Sequence, residues 1–157
     1  MRIPRSEPSV HAIGTGRDTA RAVSQRDIDT VKTLFAAFAD RDFEAAAGIL
    51  DPSLEIRPAI VGGPEGAVYR GPDGMRRFWD DVDDAWAEFR IEAEEFRELD
   101  GAILVLGRAL ARGRESEIAL EVESAWIARL RNGRIVHFQS FSNKQEAIEA
   151  AGLADQS

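Results

Sequence analysis

The stretch from Glu115 to Asn143 constrains the fold more than any other part of this sequence. Ile118, Leu120, Val122, Ser124, Trp126, Ala128 and Leu130 recur at every second position. Side chains on a strand alternate between its two faces, so this run predicts one long, half-buried strand. Arg131-Asn132-Gly133-Arg134 interrupts it, and Ile135, Val136, Phe138 and Phe141 then resume a β-rich pattern up to Asn143. Asn-Gly tolerates the positive φ angles of a tight hairpin turn, so the two runs are expected to pair antiparallel. Helical patterns lie on both sides of the hairpin, which indicates a small α+β domain whose curved sheet holds a pocket.

The remaining segments follow in a simple order. Met1 to Val23 has prolines, glycines and scattered charges without apolar periodicity, and reads as a flexible tail. A first helix is expected from Ser24, with Ser24 and Asp27 as a capping pair and Ile28, Val31, Leu34, Phe35 and Phe38 on one face. Asp40-Arg41-Asp42 breaks it, and Asp42 caps a short second helix that Pro52 ends. Leu54 to Arg57 reads as a strand, and Ala59 to Tyr69 as a loop rich in glycine and proline that could lie over a pocket mouth. Gly71-Pro72-Asp73-Gly74 opens a third helix, on which Met75, Phe78, Trp79, Val82 and Trp86 form an aromatic stripe. Phe89–Leu99 and Ala102–Arg112 are strands around Asp100-Gly101, and a last helix runs from Lys144 to Ala151, capped by Asn143 and Glu146 and ended by Gly152. The expected organisation is a tail over 1–23, one domain over 24–153 and a second short tail over 154–157.

Composition excludes several function classes. A net charge of −8 disfavours nucleic-acid and anionic-membrane partners, because phosphate contacts need a basic face. Without cysteine there is no thiolate nucleophile and no cysteine-held metal; with only His11 and His137, a histidine-built metal site is not expected, nor any cofactor. No apolar run approaches the roughly 20 residues of a membrane span, and the N-terminus lacks the apolar core of a secretion signal, so the expected location is cytoplasmic.

The helix end at Phe35–Asp42, Arg57-Pro58, the run Gly71-Pro72-Asp73-Gly74-Met75-Arg76-Arg77-Phe78-Trp79, the turn Arg131 to Val136 and the closing Glu146 to Leu153 together resemble a known family. Over residues 24–153 the chain is similar to the SnoaL-like branch of the nuclear-transport-factor-2-like superfamily. Its relatives include ketosteroid isomerase, polyketide cyclases, scytalone dehydratase and limonene epoxide hydrolase. The resemblance implies a cone-shaped, strongly curved antiparallel sheet wrapped around three N-terminal helices, a short C-terminal helix, a pocket inside and pairing as a homodimer through the outer sheet face. The implied activity is isomerase, cyclase or hydrolase chemistry on a small apolar or polyketide-like compound. The alternative is a non-catalytic binding or dimerisation domain that has lost the family's acid–base residues.

Aligned on those motifs, the isomerase base position falls on Arg57, the aspartic-acid donor on Trp126 and the tyrosine donor near Leu34. Arginine stays protonated, leucine has no proton to give, and tryptophan offers only an indole N–H, so the isomerase set is not retained. Of the epoxide hydrolase set only Arg108 matches, its carboxylate partners falling on Leu110 and Ser140. His137 lies out of phase with Phe138 and Ser140 and reads as a surface or interface imidazole, acid–base work in the pocket being the alternative. Catalytic residues therefore stay unassigned. The implied pocket wall comprises Leu104, Leu106, Arg108, Leu110, Val122, Ser124, Trp126, Phe138 and Ser140, with Leu34, Phe38, Arg57 and Trp79 from other elements. Arg57 and Arg108 are matched by nearby carboxylates such as Glu55, or reach the solvent-exposed rim, or grip an anionic group on a small-molecule ligand. Glu121 and Glu123 belong to the opposite, solvated or dimer-facing surface.

Overall fold

The predicted hairpin turn forms on Asn132 and Gly133, whose φ angles are +54° and +79°. Only a residue without a Cβ, or a short polar one, reaches that region at low cost. The computed structural model describes residues 25–58, 68–99, 101–115 and 119–150. The expected tails, the Ser24 half of the first capping pair and most of the segment Ala59–Tyr69 lie outside these residues.

Helix α1 spans 25–40 and buries Val31, Leu34, Ala37 and Phe38. It ends on Arg41, which takes a φ of +53°, while the Asp42 N–H reaches back to the Ala37 carbonyl at 2.8 Å. That is a left-handed helix stop built on arginine where glycine is usual. The Arg41 guanidinium lies 3.9 Å from the Phe38 ring centre and donates to Asp83 at 2.7 Å. Helix α2 (Phe43–Ala47) starts as predicted, the Asp42 carboxylate accepting the Ala45 N–H at 3.2 Å.

Strand β1 runs Leu50–Arg57, so Pro52 lies inside a strand and does not end a helix. Proline is tolerated on a strand whose N–H is not needed by the ladder, and pairing with β6 is irregular between Leu50 and Glu55. Strand β2 is the short pair Tyr69–Arg70, which the sequence places at a loop end. Helix α3 (Gly71–Ala85) begins with Pro72 in its first turn and packs on β1 and β2. Then follow β3 (Glu88–Leu99), β4 (Ala102–Arg112), β5 (Ala119–Arg131), β6 (Arg134–Phe141) and α4 (Lys144–Ala150). Asn143 caps α4 by accepting the Glu146 N–H at 2.8 Å, while the Glu146 carboxylate takes the Ser142 hydroxyl at 3.0 Å.

The strands form one curved, unclosed sheet in the order β2-β1-β6-β5-β4-β3. All pairings are antiparallel except β1 with β6, which is parallel. Bulges between Ala93 and Glu95 and between Arg129 and Leu130 add local bend and twist. The larger core fills the concave side, where Val31, Leu34 and Phe38 of α1 and Met75, Trp79 and Val82 of α3 meet Val105, Trp126 and Phe138. A smaller core on the convex side joins Leu104, Leu106, Ala125, Ile127 and Phe141 to Ala147 of α4. The sheet is thus apolar on both faces along part of its length.

Candidate functional site

Between the helices and the concave sheet face lies a cavity of about 90 Å³. Helix α1 contributes Leu34, Phe35 and Phe38, which share one face because they are three or four residues apart. Helix α3 contributes Met75, Phe78 and Trp79, and Trp86 follows at its end. Strands β3 and β4 supply Phe89, Ile91, Ala109 and Ala111; β5 supplies Leu120, Val122, Ser124 and Trp126; β6 supplies Phe138 and Ser140. Alanines at alternate positions on β4 leave room where larger side chains would fill it.

Eight of the thirteen predicted wall residues are here: Leu34, Phe38, Trp79, Val122, Ser124, Trp126, Phe138 and Ser140. Trp126 is buried among Phe35, whose ring is 5.2 Å away edge-on, and the rest of the concave core. Leu104, Leu106, Arg108 and Leu110 belong to the other face. Residues directly opposite on paired strands point to the same side, and β4 pairs Val105 with Trp126 and Ala109 with Val122. The odd-numbered positions of β4 therefore face inward and the even-numbered ones outward. Leu104 and Leu106 sit in the convex core, and Leu110 stands opposite Glu121.

Both arginines of the expected anion clamp also lie outside the cavity wall. Arg108 is held on the outer face by Glu92 at 2.9 Å, Glu94 at 3.1 Å and Glu121 at 2.6 Å. These carboxylates, Glu121 first, hold its guanidinium proton above the usual arginine range. Arg57 pairs with Glu55 at 2.9 Å, and Arg70 joins the same carboxylate at 2.9 Å. The hydrogen bond from Arg57, then the charges of Arg57 and Arg70, keep the Glu55 carboxyl below its ordinary value. Neighbouring carboxylates match both cations.

Sequence reasoning missed Phe35, Ile56, Pro58, Phe89, Ile91, Ala109, Ala111, Leu120 and Phe141 as wall residues, and read Met75, Phe78 and Trp86 only as a stripe on the third helix. The available signal was the row Gly107, Ala109, Ala111, small residues on one face of an otherwise bulky strand.

Polar groups on the wall are few. The Ser124 hydroxyl is buried and donates to the Val122 carbonyl at 3.3 Å. The Trp86 indole nitrogen is buried and, among the described residues, has no hydrogen-bond partner. Leaving such a donor unmatched costs about 1–3 kcal/mol. His137 stands opposite Arg129 and beside Gln139 at 3.3 Å, off the wall. No carboxylate or imidazole lines the cavity among the described residues. Among those residues no three His, Asp or Glu side chains gather as a metal site would, and no helix is long and apolar enough to cross a membrane.

Comparison with known proteins agrees with this architecture. A nuclear-transport-factor-2-like protein of unknown function from Burkholderia pseudomallei superposes with a TM-score of 0.66 at 24% identity, covering 79% of this chain and 95% of that one. TerC, crystallised with polyporic acid, gives a TM-score of 0.67 at 18% identity over 81% of this chain and 98% of its own. IdmH of Streptomyces antibioticus, a candidate polyketide cyclase, gives 0.62 at 18% identity over 80% and 96%. Identities this low show a shared fold and no shared reaction. No curated protein matches the sequence. The SnoaL-like domain matches residues 31–138, from the buried face of α1 to the inward phenylalanine of β6, and the chain belongs to that family.

Proposed function

We propose that this protein holds a small, largely apolar or polyketide-like molecule in its cone and promotes an isomerase- or cyclase-type rearrangement there. The observation that carries the reading is the wall itself: an aromatic and aliphatic hollow whose polar features include the Ser124 and Ser140 hydroxyls and the Trp86 indole N–H. Small-molecule sites have this makeup, mostly apolar surface with a few placed polar groups. Structural neighbours named as polyketide cyclases support the same reading. The described wall offers no charged base, so the chemistry it supports is the folding of a reactive chain into a near-attack geometry, with hydrogen-bond donors polarising a carbonyl.

The absence of a wall carboxylate or imidazole among the described residues also favours a second reading, a domain that binds without catalysing. One experiment separates the two. The protein is mixed with a linear aromatic poly-β-ketone surrogate; tryptophan fluorescence follows binding and chromatography follows ring closure. Binding with accelerated closure is the expected result. Binding with closure at the rate of buffer moves the assignment to a binding domain, and no binding overturns both. We further propose that the chain forms a homodimer through its outer sheet face, as family members do; a monomer in sedimentation at micromolar concentration would sink that.

A further inference from the structure

Among the described residues, one buried side-chain donor has no acceptor: the indole Nε1 of Trp86. Trp86 stands where α3 ends and β3 begins, and its ring forms part of the cavity wall. Its backbone is fixed on both sides. Its own N–H donates to the Val82 carbonyl at 3.0 Å, and the N–H of Ala87 donates to the Arg112 carbonyl at 2.8 Å. The indole is thus carried by a clamped segment, on a rigid joint between a helix and a strand.

An indole N–H donates and never accepts, so the group that completes it must be an acceptor. Buried donors in folded proteins nearly always have a partner, and an exception calls for one supplied from elsewhere. Water is a poor candidate, since a trapped water needs two or more polar partners and the cavity lining is apolar apart from the Ser124 and Ser140 hydroxyls and the tryptophan N–H groups. An acceptor oxygen carried on an apolar body fits both conditions. We propose that the Trp86 indole N–H recognises a carbonyl oxygen on a ring-sized apolar guest, and so selects ketones over hydrocarbons of the same shape. This inference rests on the reading of the cavity as a small-molecule site. With about 90 Å³ of free space and Nε1 buried, a fused-ring guest must part the side chains of the wall to reach it. Its oxygen then meets the donor.

The test uses the full chain with nitrogen-15-labelled tryptophan and two probes, 1-tetralone and tetralin, which share a bicyclic frame and differ by one carbonyl. The chain has 3 tryptophans, so the indole region of the spectrum is simple, and Trp86→Phe assigns the signal. The expected result is that tetralone moves the Trp86 indole proton downfield and tetralin does not. Trp86→Phe, which keeps an aromatic ring, should weaken tetralone about fivefold more than it weakens tetralin. If both probes bind but the Trp86 signal stays still with tetralone, or Trp86→Phe treats the two alike, the donor role is overturned while the cavity reading stands. If neither probe binds the wild-type chain, the cavity reading falls and takes this role with it. The spectrum of the wild-type protein decides between these outcomes even where the variant folds poorly.

Discussion

A methyl group placed on Gly107 would stand 2.0 Å from the backbone carbonyl oxygen of Glu92. The two residues lie across the β3–β4 ladder, beside the bulge between Ala93 and Glu95. The obstacle is main chain, so it cannot rotate aside as a flexible side chain would.

Gly107→Ala should therefore destabilise the protein by about 3 kcal/mol, the high end for inserting one methyl into a packed site. The sign is informative. In a strand without this conflict, replacing glycine by alanine stabilises by about 0.4–1 kcal/mol through the unfolded chain. Urea denaturation followed by circular dichroism measures the difference, and a neutral or stabilised variant would contradict the close approach.

Tyr69 is the 1 tyrosine of the sequence, so its ionisation can be read without overlap. Its ring is buried, and its hydroxyl donates to Asp81 at 2.6 Å. Burial first, and then the bond and charge of Asp81, push its pKa up from 10.0 to about 12. The unfolded chain loses this proton near 10.0 while the folded one keeps it. The stability tied to this proton is thus complete below that pH and disappears as pH climbs through about 12. Absorbance of the phenolate should rise only near pH 12 while circular dichroism still reports a folded chain. In Asp81→Asn the midpoint should move down without reaching the free value, because burial remains. A wild-type midpoint near 10.0 in the folded protein would refute the linkage.

The sequence showed the hairpin and the inward parity of β5 because two signals agreed there, the Asn-Gly turn and one continuous apolar face. On β4 they did not. Ile103 and Val105 face one core while Leu104 and Leu106 face the other, so hydrophobicity alone assigns no inside. Register decided it, and register depends on the connection after Arg112, which composition does not describe. The same one-residue slip turned Arg108 inward in the sequence-based expectation. Arg57 was misplaced through the position it matches in relatives; its salt bridge with Glu55, two residues away on the same strand, was the local clue. Trp86 looked like one more member of the α3 stripe, and that its N–H has no partner among the described residues is visible only in three dimensions.

Because Arg57 and Arg108 lie off the wall, Arg57→Ala and Arg108→Ala should leave the affinity for any cavity guest unchanged within about twofold, a shift below about 0.5 kcal/mol. Arg108→Ala should still lower the melting temperature. It leaves Glu92, Glu94 and Glu121 facing one another without their shared cation. Salt screens such repulsion, so the loss should shrink as sodium chloride is raised. Fluorimetric melting across a salt series checks this, and a salt-independent loss would point to packing and away from charge.

Phe35 couples the stability of the concave core to the size of the hollow. Its ring stands edge-on to three others, Phe96 at 6.0 Å, Trp126 at 5.2 Å and Phe138 at 5.8 Å, and it also lines the cavity. Phe35→Ala removes those contacts and leaves space that the surrounding sheet and helix refill only in part. The expected cost is about 3–4 kcal/mol. The enlarged space is apolar, so it should stay dry and accept an apolar guest. Benzene should then raise the melting temperature of Phe35→Ala more than that of the wild type, since a guest that binds only the folded state stabilises it by mass action. Phe35→Leu, which fills most of the gap, should fall between the two in both stability and benzene response. A smaller stability loss with no benzene effect would mean that the helix collapses onto the sheet, and that the hollow is held open by this one ring.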